Sequence, residues 1–232
     1  MQTRVEIADF ENWRAVAEGA ARIMREGEVV ALPTETVYGL GAVAFDPEAV
    51  ARVFEAKDRP SFDPLIVHIA GIRDLGRVAV VPAEVEDIVR QLAKAFWPGP
   101  LTMVLPKHED VPDLVTSGLP TVAVRVSKHE VMRYLTRELG PIAAPSANRF
   151  GRISPTSAGA VLRELDGRIP LVVDGGACSD GLESTIIAVE PGEKRPILRL
   201  LRPGPVTREE LQKFGKVPKV RRVTDDRPEA PG

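Results

Sequence analysis

Between Val29 and Ile69 two short apolar runs, Val29–Pro33 and Leu65–Ile69, stand on either side of one amphipathic run, Asp46–Ala56. Apolar runs of this length, bounded by Pro and Gly, read as buried strands. Val50, Val53 and Phe54 fall at helical spacing, and Asp46 followed by Pro47 supplies an N-cap and a preset first helical residue. A strand, a helix and a strand in that order restrict the chain to folds that pack helices on a sheet. The two joints are long and polar, holding small hydroxyls, Gly39, Gly41, Lys57 and Arg59, with His68 just inside the second strand. Long connections beside buried strands tend to be functional. These joints are expected to converge on one site.

The same alternation continues on both sides. Trp13, Val16, Ala20, Ile23 and Met24 predict a helix over Asp9–Glu26, stopped by Gly27. A second helix is expected after Pro82, running to Phe96 and ended by Trp97–Pro98–Gly99–Pro100. Leu101–Leu105, Thr121–Val126, Ile142–Ala144, Leu171–Val173, Thr185–Val189 and Ile197–Leu201 read as strands, and His129–Leu139 and Ser157–Leu165 as helices. Thr207 with Glu210 three residues on is a capping box opening a last helix to about Phe214. Strands and helices alternate without strict order, which predicts a single α/β domain with a mixed sheet over residues 1–215. From 216 to 232 apolar periodicity stops, charge blocks give way to Pro-rich sequence, and the segment reads as a linker-like tail.

Composition narrows the function. With 44% hydrophobic residues the chain can bury a substantial core, and 31 basic against 33 acidic residues leave a formal charge of −2. That balance argues against nucleic-acid binding over the whole surface and leaves room for a local basic cleft. The few Tyr and Trp residues weaken an aromatic platform for single strands. The single cysteine, Cys178, allows no internal disulfide and favours a reducing compartment. No secretory h-region and no apolar run of roughly 20 residues is present, so a cytoplasmic protein without a membrane association is expected.

Taken one at a time, the polar residues leave alternatives open. Lys57 and Arg59 could complement the dipole at the end of the preceding helix, or clamp a phosphate chain. The hydroxyls of Pro33–Thr34–Glu35–Thr36 could cap a turn, or donate to a small ligand. Gly39-x-Gly41-x-x-Ala44 mimics a dinucleotide fingerprint, but that motif needs its glycines to open a helix straight after a strand. No Gly-x4-Gly-Lys-Ser/Thr sequence occurs. His68 lies inside an apolar run, where a histidine is structural or a ligand contact, and no histidine spacing supports zinc. Ser146 lies outside any Gly-x-Ser-x-Gly context, which disfavours a serine hydrolase.

The motifs together resemble one family. Lys57-x-Arg59-Pro60-Ser61-x-x-Pro64-Leu65-Ile66-Val67-His68 and Pro33-Thr34-Glu35-Thr36-x-Tyr38-Gly39-Leu40 are similar to the hallmarks of YrdC-like domains. Trp97-Pro98-Gly99-Pro100-Leu101-Thr102, Val124-Arg125-Val126, Ala144-Pro145-Ser146-Ala147-Asn148, Glu183-Ser184-Thr185 and Leu201-Arg202-Pro203-Gly204 follow in the family's order, over roughly residues 10–215. The resemblance is to the L-threonylcarbamoyladenylate synthases. It implies a twisted mixed sheet with flanking helices around an open, positively lined cavity. The reaction it implies takes L-threonine, bicarbonate and ATP with Mg²⁺, releases pyrophosphate, and hands the product to a transferase that modifies tRNA. By motif position, Thr36, His68, Arg125, Ala144 and Ser184 are expected to hold threonine, with Arg125 on its carboxylate and Ala144 acting through its backbone. Lys57, Arg59, Asp63, Thr121, Ser146, Asn148, Ser154 and Arg202 are expected on the nucleotide side, with Thr34 and Tyr38 as neighbours.

Two departures stand out. Members usually carry Asn at the position of Asp63, and a carboxylate there would repel a triphosphate unless Mg²⁺ or Lys57 intervenes. The stretch Pro228–Gly232 resembles the start of the linker of long-type members, so the chain is expected to be the catalytic part of such a protein. The alternatives are an RNA-binding module of the same fold without synthase activity, whose affinity would fall steeply with salt, and a dinucleotide-dependent oxidoreductase.

Overall fold

The computed structural model describes residues 2–218. The linker-like reading of the tail falls, from residue 219 on, outside the described residues. Lys216 still pairs with Ile197 in a β-bridge and Val217 is buried, so packing continues just past Gly215.

Ten strands form one mixed sheet: β1 (Arg4–Ile7), β2 (Val30–Leu32), β3 (Gly39–Val43), β4 (Ile66–His68), β5 (Leu101–Pro106), β6 (Thr121–Arg125), β7 (Ile142–Ala143), β8 (Leu171–Asp174), β9 (Thr185–Glu190) and β10 (Ile197–Arg202). Their order across the sheet is β1-β8-β2-β3-β7-β4-β6-β5-β9-β10. Parallel pairs, such as β4 with β6 and β5 with β9, are mixed with antiparallel ones, such as β2 with β3 and β5 with β6. The helices are α1 (Trp13–Arg25), α2 (Pro47–Lys57), α3 (Glu86–Phe96), α4 (Asp113–Thr116), α5 (Glu130–Leu139), α6 (Ala158–Leu165) and α7 (Arg208–Leu211). The single α/β domain with a mixed sheet is therefore as the alternation predicts. No described helix is long and apolar enough to cross a membrane.

Side chains alternate between the two faces of each strand, and three apolar clusters result. On one face Ala31, Leu40, Val67, Met103, Val124 and Val172 pack with Val50 and Val53 of α2, Val89 and Leu92 of α3 and Val161 of α6. On the other, Val30, Leu32, Ile142, Leu171 and Val173 pack under Ala17, Ala20, Ala21 and Met24 of α1 and Val131, Met132 and Leu135 of α5. Each fully buried Val or Leu contributes about 1.5–3 kcal/mol, so these two layers hold the sheet flat against its helices. The third cluster, Ile66, Val104, Ala123, Ile186 and Ala188 with Leu201 beside it, draws only on strands β4, β5, β6, β9 and β10. Half of one sheet face thus has no helix in its apolar cluster among the described residues.

Local chemistry explains the helix ends. The Asp46 carboxylate accepts from the backbone N–H groups of Glu48 and Ala49 at 3.0 and 3.1 Å, capping α2 behind Pro47. Gly27, at φ +81°, follows the end of α1 as expected. The start of α1 differs from the sequence reading. Asp9 accepts from Glu11 and Asn12 N–H, and Asn12 accepts from Asp9 N–H, closing a side-chain-bonded loop that delays the helix to Trp13. The Thr207–Glu210 capping box is present, but α7 ends at Leu211, short of Phe214.

β3 is the main correction. Gly39 and Gly41, which the sequence places in a polar joint, belong to a five-residue strand between β2 and β7. A Cβ on Gly41 would sit 2.8 Å from Leu32 Cδ1, and one on Gly39 3.3 Å from Ala144 Cβ. Glycine is there to let neighbouring layers close in, which low strand propensity hides. The dinucleotide reading fails with it, since these glycines end in a strand and α2 begins only at Pro47.

Candidate active site

The cleft opens on the helix-free half of the sheet. Its floor is a row set by strand register. His68 at the end of β4 lies beside Arg125 at the end of β6, and Arg125 faces Thr102 on β5. Thr185 pairs with Leu101, which places Ser184 next to that row. One wall is the loop before β3, with Thr34, Thr36 and Val37; another is Ala144–Pro145–Ser146; Arg59, Glu183 and Arg202 close the remaining side.

The wall segments are held by backbone bonds. Leu40 N–H donates to Pro145 O and Ala147 N–H to Tyr38 O, both at 2.8 Å, and Gly39 bridges Ser146. Ala144 gives its N–H to Ile66 O at 2.8 Å, which ties this wall to β4.

Arg125 is the centre of the polar network. Its Nε donates to Gly99 O at 3.2 Å and its Nη1 to Thr36 Oγ1 at 2.7 Å, and Nη2 lies 2.8 Å from Glu35 Oε1. Thr34 Oγ1 donates to Val37 O at 2.6 Å, so the Thr36 hydroxyl, 3.0 Å away, donates to Thr34 and accepts from Arg125. Ser127 Oγ donates to the other Glu35 oxygen at 2.6 Å. Burial pushes the Glu35 carboxyl up, but the Arg125 charge and the Ser127 and Arg125 hydrogen bonds outweigh it and bring it down to about 2. His68 is brought down to about 3, first by burial and then by Arg125, so it is a neutral imidazole. Its Nδ1 is buried without a hydrogen-bond partner among the described residues.

The nucleotide-side candidates form a second network. Arg59 donates to the carbonyls of Asp63 and Pro64 at 3.0 and 2.8 Å and pairs with the Asp63 carboxylate at 2.8 Å. The cation that meets the Asp63 carboxylate is thus Arg59, while Lys57, the expected partner, is directed to backbone carbonyls. Arg202 pairs with Glu183, donates to Ser184 O at 3.1 Å and to Ser184 Oγ at 3.0 Å. Ser154 donates to the other Glu183 oxygen at 2.5 Å, and Ser184 Oγ lies 2.8 Å from Thr102 Oγ1. Lys57 is buried behind the wall, and its ammonium donates to the carbonyls of Ser146 and Asn148. Burial, with Arg59 adding, lowers it to about 7.

The five threonine-side candidates, Thr36, His68, Arg125, Ala144 and Ser184, all line the cleft, together with Arg59, Ser146 and Arg202. Lys57, Asp63, Asn148 and Ser154 lie one contact behind, each bonded to a wall residue or supporting a wall loop; the Asn148 amide donates to Arg149 O and Arg152 O. Thr121 opens β6, four residues from Arg125 on the same strand face. Thr34 is on the wall, whereas Tyr38 is fully buried and donates to Gly176 O at 2.7 Å. Burial raises the Cys178 thiol to about 11, which fits an inert cysteine. Sequence reasoning passed over Glu35, Thr102, Ser127 and Glu183. Glu35, Thr102 and Glu183 sit inside the quoted motifs, and the excess of buried cations among the candidates was the available signal, since buried charges are paired.

A profile of the Sua5/YciO/YrdC family, described as telomere recombination, matches residues 22–204. The chain belongs to that family. It is 49% identical over 228 residues to a threonylcarbamoyl-AMP synthase of Pyrococcus abyssi, covering 96% of this chain and 64% of that protein. It is 48% identical over 195 residues to a threonylcarbamoyl-AMP synthase of Bacillus subtilis, covering 83% and 54%. The chain therefore spans less than two thirds of the length of these relatives. Its fold superposes with a TM-score of 0.87 on a crystal structure of P. abyssi Sua5 complexed with L-threonine, at 46% identity, over 99% of this chain and 67% of that one. E. coli YciO shares the fold at a TM-score of 0.70 and 21% identity.

Proposed function

We propose that the chain synthesises L-threonylcarbamoyladenylate from L-threonine, bicarbonate and ATP, with release of pyrophosphate. One observation carries the reading. Thr36, His68, Arg125, Ala144 and Ser184 meet in a single cleft beside Arg59, Ser146 and Arg202. The synthase names of the longer relatives and the threonine in P. abyssi Sua5 support it.

In this reading the threonine carboxylate meets Arg125, and the neutral His68 borders its amine. The amine nitrogen bonds to the carbon of bicarbonate as a C–O bond breaks and water leaves, or to carbon dioxide with a proton released to solvent, giving a carbamate. A carbamate oxygen then bonds to the α-phosphorus as the α–β bridging bond breaks, and pyrophosphate leaves. The chain supplies positioning and charge rather than a nucleophile. Phosphates entering the cleft compete with Asp63 and Glu183 for Arg59 and Arg202, and the open, positively lined cavity belongs to this proposal. Mg²⁺ would arrive on the nucleotide. When bound, it would supply neutralisation of phosphate charge. Delivery of the adenylate to a tRNA-modifying transferase, in the cytoplasm, completes the proposal.

The test is pyrophosphate release by this chain with ATP and Mg²⁺. Release that needs both threonine and bicarbonate, with the adenylate seen by mass spectrometry, is the expected result. Release indifferent to threonine would overturn it.

A further inference from the structure

Glu35 is one of the most deeply buried carboxylates of the molecule, yet it is not on the cleft wall. It stands behind Arg125, with one oxygen 2.8 Å from Nη2 and the other accepting from Ser127 Oγ at 2.6 Å. Ser127 is fixed in turn, because its hydroxyl accepts from His129 N–H at 3.2 Å at the start of α5. A guanidinium has five N–H groups in a rigid plane. Here Gly99 O and Thr36 Oγ1 accept hydrogen bonds from two edges of that plane, and the Glu35 carboxylate meets the third as an ion pair at 2.8 Å. The N–H groups left over are then aimed by the protein rather than by the ligand.

We propose that Glu35 is a positioning residue for amino-acid recognition: it locks the Arg125 guanidinium so that its remaining N–H groups meet the substrate carboxylate, and Ser127 locks Glu35. This rests on the reading of Arg125 as the carboxylate partner.

A buried ion pair is weak evidence for a stabilising role, since well-packed apolar residues often replace one at no loss. A role in orientation has a different signature. Planar, bidentate recognition of a carboxylate depends on the direction of the fork as well as on charge. Removing the Glu35 charge raises the positive potential at Arg125, so charge alone would tighten threonine. Loss of orientation weakens it. The sign of the change separates the two.

The experiment is calorimetric titration of this chain with L-threonine, and separately with ATP and Mg²⁺. Glu35→Gln is expected to weaken threonine at least tenfold and Ser127→Ala several-fold, with ATP affinity within twofold of the parent for both. Ser127 touches no cleft ligand position, and its alanine variant loses only the hydrogen bonds to Glu35 and from His129 N–H, so it serves if Glu35→Gln does not fold. Tighter or unchanged threonine binding in both variants overturns the inference, as does equal weakening of threonine and ATP. Arg125→Lys keeps the charge and loses the fork. If it binds threonine like the parent, the carboxylate reading itself fails. If it loses threonine while the Glu35 and Ser127 variants do not, only the positioning inference fails.

Discussion

At the scale of single residues, the cleft is built by pairing each arginine with a carboxylate: Arg59 with Asp63, Arg125 with Glu35 and Arg202 with Glu183. Buried charges demand this, because an unpaired one costs several kcal/mol. Lys57 follows a different rule. With its nitrogen on the carbonyls of Ser146 and Asn148, it is a post for the loop that carries those two residues. Lys57→Met leaves two carbonyls without a donor, at about 1–3 kcal/mol. We expect a lower melting temperature and a larger loss of ATP than of threonine affinity, measured by denaturation and by separate titrations. Equal losses would show that the loop does not report to the nucleotide side. The motifs named most of the wall residues, but not which of them act through others. A motif records that Lys57 and Ser146 both occur; only the folded chain shows one holding the other.

At the scale of elements, helices were more legible than strands. α2 could be placed from Asp46, Pro47 and its apolar stripe, because capping and periodicity lie within one stretch of sequence. β3 was not, because Gly39 and Gly41 are chosen by what packs against them, Ala144 in one case and Leu32 with Ile142 in the other. Gly41→Ala forces Leu32 or the sheet to move, since the new Cβ would lie 2.8 Å from Leu32 Cδ1. Overpacking of this kind costs about 1–3 kcal/mol. Chemical denaturation should show that loss, and unchanged stability would mean that Leu32 turns aside freely. β1 escaped the sequence reading for a related reason. As an edge strand paired only with β8, it has an exposed pattern with no buried alternation to betray it.

At the scale of the whole molecule, the buried groups of the site set how stability depends on pH. His68 falls from 6.5 to about 3 on folding through burial, so the unfolded chain binds the extra proton between those values. Stability therefore falls as pH drops below 6.5, by at most about 1.4 kcal/mol per unit for that group. His129, also lowered by burial, acts in the same direction. Glu35, lowered from 4.5 to about 2, contributes stability that is present above 4.5 and lost as pH falls toward 2. Unfolding free energies across pH 7 to 3 should show a flatter limb between 6.5 and 4.5 in His68→Gln, and a flatter limb below 4.5 in Glu35→Gln. Parental slopes in both variants would place the acid sensitivity elsewhere.

The sequence by itself determined the α/β class, most helix limits, the family and most of the polar side chains that gather at the cleft. Caps, periodicity and ordered motifs act over a few residues, so they can be read without the fold. Only the tertiary structure decided which carboxylate answers which cation. Thr36 and Arg125 are 89 positions apart, and Glu35 and Ser127 are 92 apart. The loop before β3 meets the end of β6 by reaching across β7 and β4, which lie between them in the sheet. Strand order and register bring those groups together, and no local pattern in the chain encodes them.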